Sequence, residues 1–156
     1  MTTLAAAYGV PMVTATRNPA GDDGSLVWID GALLPRPVAT VRFDDHGLVV
    51  GDGVFETVAT VRRTPFALGR HLDRLRRSAA GLHLGVPVAD DELRRAVEVV
   101  VASHGGDHEL RIRLTVTAGA GPLGSARGDA APTVIVAAAP LGTVAPTAHE
   151  IGRAHV

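Results

Sequence analysis

Apolar and polar positions along the chain fall into segments of two different periods. The first ordered signal is Leu26-Val27-Trp28-Ile29, followed by Asp30-Gly31 and Ala32-Leu33-Leu34. An Asp-Gly pair between two apolar runs predicts a tight hairpin, and Pro35 and Pro37 end its second strand. Val38 to Phe43 reads as a short strand or extended piece, and Asp44-Asp45-His46-Gly47 as a turn. From Val54 to Arg62 the pattern alternates. Phe55, Thr57, Ala59 and Val61 fall on one face of a strand, and Val54, Glu56, Val58 and Thr60 on the other. Arg63-Thr64 is a turn, with a short return strand from Pro65 to Leu68.

From about Gly69 the period changes. Leu72, Leu75, Ala79 and Leu82 recur at three- and four-residue steps and predict an amphipathic helix, stopped by Gly85 and Pro87. Asp90 is placed to cap a second helix whose buried stripe is Leu93, Ala96, Val97 and Val100, ended by Gly105-Gly106. Alternation returns in Leu110 to Thr117, with Arg111, Arg113, Thr115 and Thr117 on the polar side. After a glycine-rich loop from Gly119 to Gly128, Thr133 to Ala138 is an apolar strand. Strands, then two helices, then strands predict an α+β domain: a mostly antiparallel sheet with two helices on one face. Residues 1–25 have no periodicity and read as a loose leader.

Composition narrows the function classes. The 156 residues are 46% hydrophobic, 20% charged and 3% aromatic, with a net charge of -1, which fits one folded domain and excludes wholesale disorder. Near-neutral charge and scarce aromatics argue against nucleic acid, so the arginines at Arg70, Arg74, Arg76, Arg77, Arg94 and Arg95 read as solvated helix faces. No apolar run is long enough to span a bilayer. With no cysteine there is no disulfide, thiolate metal site or cysteine nucleophile, which fits a cytoplasmic location. All 15 basic residues are arginine; without lysine the chain cannot form a lysine Schiff base.

Local motifs are mostly structural. Gly119-Ala120-Gly121-Pro122-Leu123-Gly124 has the letters of a dinucleotide fingerprint, but Pro122 and the polar run after it predict loop where that motif needs a helix. Arg127-Gly128-Asp129 reads as a chance tripeptide. Asp44-Asp45-His46 and His104-Gly105-Gly106-Asp107-His108 read as turns, so no metal is expected. Two features stand out: Gly51-Asp52-Gly53 directly before an alternating strand, and Arg74 in His71-Leu72-Asp73-Arg74-Leu75, where a guanidinium suits a phosphate.

Together, Val27-Trp28-Ile29-Asp30-Gly31, the run Gly47 to Thr57, His71 to Leu75 with Ser78-Ala79, and Leu110 to Gly119 resemble the class IV aminotransferases, the fold-type IV pyridoxal-phosphate enzymes. The resemblance covers about Val27 to Pro140 and implies the smaller N-terminal domain, here 26–141, of a two-domain enzyme that is a homodimer acting on a small molecule. It implies that Arg74 binds the cofactor phosphate. It also implies that Val50, Phe55, Thr57 and Ala59 line the substrate pocket, and that Arg113 stands where relatives place a basic residue or a substrate-carboxylate arginine. The catalytic lysine of such enzymes lies in the second domain, about a hundred residues beyond the phosphate arginine, so no residue of this chain is assigned a catalytic role.

The form Gly-Asp-Gly-Val-Phe-Glu-Thr is closer to aminodeoxychorismate lyases and D-amino-acid aminotransferases than to branched-chain enzymes. Ala118 stands where D-amino-acid enzymes carry a carboxylate-binding arginine, which leans the reading to the lyase, forming 4-aminobenzoate and pyruvate. The contrasting reading is a non-catalytic binding or subunit-pairing domain. Residues 142–149 read as the start of an interdomain linker. The ending 150–156, Glu-Ile-Gly-Arg-Ala-His-Val, matches the translation of a common sequencing adapter, so the chain is read as a fragment inactive alone.

Overall fold

The computed structural model describes residues 24–142. Expectations for the leader before Gly24 and for the tail after Gly142 lie outside those residues. Six strands form one sheet: β1 (Leu26–Ile29), β2 (Ala32–Pro35), β3 (Gly53–Val61), β4 (Thr64–Pro65), β5 (Leu110–Thr117) and β6 (Thr133–Pro140), in the order β2-β1-β6-β5-β3-β4. Each neighbouring pair is antiparallel. Among the described residues there are three α-helices: a single turn α1 (His46–Val49), then α2 (Leu68–Gly81) and α3 (Asp90–Ser103). The α+β architecture expected from the pattern is the one observed.

The periodicities explain which surfaces meet. α2 buries Leu72, Leu75 and Ala79, and α3 buries Leu93, Ala96, Val97, Val100 and Val101. They pack on the sheet face made by Val58, Leu110, Ile112, Leu114, Val116, Val134 and Val136, each with no exposed surface. The other sheet face carries Phe55 and Val61, both more than half exposed. One face is therefore core and the other is open, as a half-covered antiparallel sheet requires.

Local details depart from the sequence expectations in five places, the first being the return strand, which is Thr64–Pro65 rather than Pro65 to Leu68, with Leu68 opening α2. Val38 to Phe43 pairs with no strand; Arg36–Val38 is a 3-10 turn, because Pro35 and Pro37 remove ladder donors. Asp44 to Gly47 is not a plain turn: Asp45 caps α1, accepting the Gly47 amide at 2.8 Å. The first residue outside α3 is Ala89, not Asp90; Asp90 lies in the first turn and takes a hydrogen bond from Arg76 Nε at 2.6 Å. Leu82 is 41% exposed, and Leu84 fills the core instead because the chain turns through His83 at φ 54.

Burial at the sheet centre predicts the cost of a cavity. Ile112→Ala should lower stability by about 2–5 kcal/mol, read as a fall in the urea midpoint. A loss below about 0.5 kcal/mol would contradict the placement of β5 in the core.

Candidate active site

β3 enters the sheet through a tight passage. Gly51 has φ +73, in the region that favours glycine, and Val50 caps the C-terminus of α1 just before it. A Cβ on Gly53 would lie 2.9 Å from the Val116 carbonyl oxygen, so the strand can pair this closely only with glycine there. From Gly53 the strand runs beside β5, with Phe55 opposite Thr115, Thr57 opposite Arg113 and Ala59 opposite Arg111. On its other side, only Thr60 and Val61 pair with β4. Among the described residues, the Gly53–Ala59 edge meets no other strand.

Strand alternation sends Glu56 to the covered face, where its side chain is 5% exposed. A carboxylate there needs compensation. Arg74, on the second turn of α2, donates from Nε to Glu56 Oε1 and from Nη2 to Oε2, both at 2.5 Å. His71, three residues earlier on the same helix face, places Nδ1 2.8 Å from Oε2. The bond from Arg74 holds the Glu56 carboxyl below its usual range; burial opposes this and His71 reinforces it. Arg74 is raised in turn, first by the hydrogen bond to Glu56. Its side chain is 58% exposed, so the guanidinium is fixed from behind and open in front.

The open face holds the other expected residues. Phe55, Thr57 and Ala59 lie in line on β3, and Arg113 stacks on Phe55 with Cζ 3.4 Å from the ring centroid. The structure thus brings Phe55, Thr57, Ala59 and Arg113 together. Arg74 is not on that face: it stands on the helix side of β3, and the two groups share the free Gly53–Ala59 edge as their border. Val50, 45% exposed, stands apart at the end of α1.

Sequence reasoning missed two partners. Glu56 was assigned its face but not its role. Its signal was a lone carboxylate on the strand face it shares with Val54 and Val58. Arg127, read as part of a chance tripeptide, forks onto Asp52: Nη2 donates to Oδ1 at 2.7 Å and Nε bonds Oδ2. Its Nη1 also donates to the His83 carbonyl at 3.3 Å. One guanidinium therefore ties the glycine-rich loop to the start of β3 and to the end of α2. The hydrogen bond from Arg127 lowers the Asp52 pKa, against burial. Nearby, buried Asp45 accepts the hydroxyls of Thr117 and Thr133 at 2.9 Å, and the His46 amide donates to the Gly119 carbonyl at 2.9 Å, which seats the same loop from its other end. The loop precedes no helix, as expected from Pro122.

Two outcomes follow. Glu56→Gln should lower stability at pH 7 by about 1–3 kcal/mol, the span of a charged hydrogen bond discounted for the exposure of Arg74. A carboxyl with a depressed folded pKa stabilises fully above its unfolded value and loses that contribution as pH falls through the folded one. The gap between parent and variant should therefore shrink on acidification through that window; urea unfolding at several pH values checks this. Arg127→Ala should expose the 119–130 loop to protease several-fold faster at neutral pH, with the β-sheet amides still protected from exchange.

The model of the family "Amino-transferase class IV" matches residues 53–155. D-alanine aminotransferase of Listeria monocytogenes is 38% identical over 78 residues, covering 50% of this chain and 27% of that protein. Aminodeoxychorismate lyase of Bacillus subtilis is 29% identical over 95 residues, 60% of this chain and 32% of that protein. A branched-chain amino acid aminotransferase from T.th., solved with pyridoxamine 5'-phosphate, superposes with a TM-score of 0.69 at 31% identity. That match covers 78% of this chain and 41% of the solved one. The chain spans well under half the length of each. The family model, which covers well over half of the sequence, places the chain in the class IV amino-transferase family.

Proposed function

We propose that this chain is the N-terminal part of a pyridoxal-phosphate enzyme and that Arg74 holds the cofactor phosphate. The observation that carries this reading is the fixing of Arg74 by Glu56. With Nε and Nη2 engaged on the carboxylate, the remaining edge of the guanidinium faces outward on a rigid helix, which fits one phosphate oxygen. Glu56 already balances the charge of Arg74, so the rest of the phosphate charge is met by groups outside this chain. When bound, the cofactor supplies an electron sink for chemistry at the substrate Cα. The residues here position. Phe55 and Thr57 wall the pocket, Ala59 leaves it room, and Arg113 donates to a carboxylate of the substrate.

For the complete protein we favour release of pyruvate from 4-amino-4-deoxychorismate, leaving 4-aminobenzoate. Two residues support it. Arg113 offers a carboxylate donor on the open face. Ala118 is 3% exposed and packed with Ala79 and Leu84, so the site has no arginine just before Gly119. Transamination of a branched-chain or D-amino acid is the alternative. The proposal includes a second domain that carries the lysine, a cytoplasmic homodimer, residues 142–149 as linker, and 150–156 as adapter sequence. The experiment is to sequence the source DNA through the codon for His149 and onward, express the complete frame, and assay 4-aminobenzoate against transamination products. A frame with a downstream lysine domain and 4-aminobenzoate formation is the expected result. A natural stop after Val156 would contradict the catalytic reading and leave a binding or subunit-pairing domain.

The cofactor reading has its own check on the present chain. Pyridoxamine 5'-phosphate should shift the NMR signals of Arg74 Nε–H and the His71 ring. Arg74→Ala should weaken its binding by about tenfold or more, the value of a charged hydrogen bond. Shifts confined to other arginines would contradict it.

A further inference from the structure

The β3–β4 hairpin, the start of α2 and one side of α3 enclose a groove. It consists of two adjoining cavities of about 460 and 410 Å³ that share Thr64, Pro65 and Glu98 in their walls. Arg70 and Arg94 line the first; Arg63, Val101 and Ala102 line the second. Each is within the size range of ligand pockets, and the shared walls make the whole long rather than round. Arg74, Phe55 and Arg113 take no part in it.

Contacts within the chain fix both ends. At the hairpin end, Arg63 Nη2 donates to the Val101 carbonyl at 2.8 Å and to the His104 carbonyl at 2.6 Å, which staples the turn to the end of α3. The groove is therefore formed before anything binds, which removes an ordering cost. At the other end Arg94 reaches from α3 to α2. A Cβ on Gly69 would lie 3.4 Å from its Nη2, so this guanidinium rests against the first turn of α2, which also carries Arg70.

Positive charge gathers at that end without a paired acid. Among the described residues, the guanidiniums of Arg70 and Arg94 make no hydrogen bond and no ion pair, whereas Arg76 on the same helix pairs with Asp90. The first turn of α2 holds no acidic residue, while that of α3 holds Asp90, Asp91 and Glu92. The one acid in the groove walls is Glu98, in the shared middle. Toward the other end the walls are apolar, formed by Pro65, Val101 and Ala102, and the Arg63 cation is engaged on two carbonyls. A complementary ligand is thus acidic at one end, apolar at the other, and carries no acid between.

We infer that this groove docks an extended peptide segment of a partner protein, with an acidic side chain at the Arg70–Arg94 end and an apolar side chain at the Pro65–Ala102 end. A compact anion fills only the first cavity. A wholly apolar segment leaves both arginines without a partner. The inference stands apart from the cofactor and substrate readings, because the groove shares no residue with either.

The test uses the full 156-residue chain at low salt, with NMR of the arginine Nε–H groups. Three peptides with blocked ends are the probes: Glu-Gly-Leu-Val, its neutral analogue Gln-Gly-Leu-Val, and its polar analogue Glu-Gly-Ser-Ser. The first should shift Arg70 and Arg94 together. It should bind about tenfold more tightly than the neutral analogue and about fivefold more tightly than the polar one. Arg94→Gln should bring the first peptide down to the level of the neutral analogue. Arg94 is partly exposed and Gln suits a helix about as well, so this variant should keep the parent urea midpoint. No shift of Arg70 and Arg94, or equal binding of the first peptide and either analogue, would overturn the inference; these comparisons are read on the parent chain. So would no effect of Arg94→Gln, or shifts centred on Arg74, Arg111 or Arg113. Inorganic phosphate binding as tightly as the first peptide would also overturn it, leaving a plain anion contact.

Discussion

A carboxylate on the covered side of a sheet must be compensated, and Glu56 is that carboxylate. The period of β3 gives it no choice of face: Val58 on the same side is core, and Phe55 and Thr57 on the other side are open. Arg74 and His71 supply the compensation from one helix face, which fixes the rotation and height of α2 against β3. The same contact makes Arg74 a rigid group. Packing and site geometry thus depend on one ionised side chain. Removing a partner from a nearly buried charge leaves the other exposed to the full desolvation cost, which is why such a pair specifies an arrangement more strongly than its net stability implies.

The loop side of the site is organised the same way, over longer range. Arg127 crosses 75 residues of sequence to reach Asp52, and Asp45 gathers Thr117 and Thr133 from two strands. These polar contacts sit at the end of the sheet where the core thins and glycines dominate. Apolar burial alone does not define a loop conformation there; charged and hydrogen-bonded contacts do. Arg74, the open-face group around Phe55 and the glycine-rich loop therefore each have their own anchor, arranged around the first residues of β3.

Much of the fold was readable along the chain because period and burial agree. The alternation of β3 and β5 and the stripes of α2 and α3 are nearest-neighbour patterns, and tertiary packing kept them. The failures occurred where a local preference met a longer-range partner. Arg62 and Arg63 take positive φ values of 49 and 63 in the β3–β4 turn, unusual for arginine, because the Glu109 carboxylate accepts both backbone amides. Nothing near residue 62 announces Glu109. In the site, Arg74, Phe55, Thr57, Ala59, Val50 and Arg113 were reached through family resemblance and strand faces. The pairings Glu56–Arg74 and Asp52–Arg127 were not, because each needs the helix or loop docked first. The placement of Arg74 across β3 from the Phe55 group also follows only from the folded register.

The account turns on Glu56 being ionised and held by Arg74 and His71. The direct measurement is a pH titration of its side-chain carboxyl by carbon-13 NMR, on the parent chain and on Arg74→Ala. The account predicts a midpoint below that of an ordinary glutamate in the parent, moving upward when Arg74 is removed. A midpoint at or above the ordinary value in the parent, unchanged by Arg74→Ala, would contradict it.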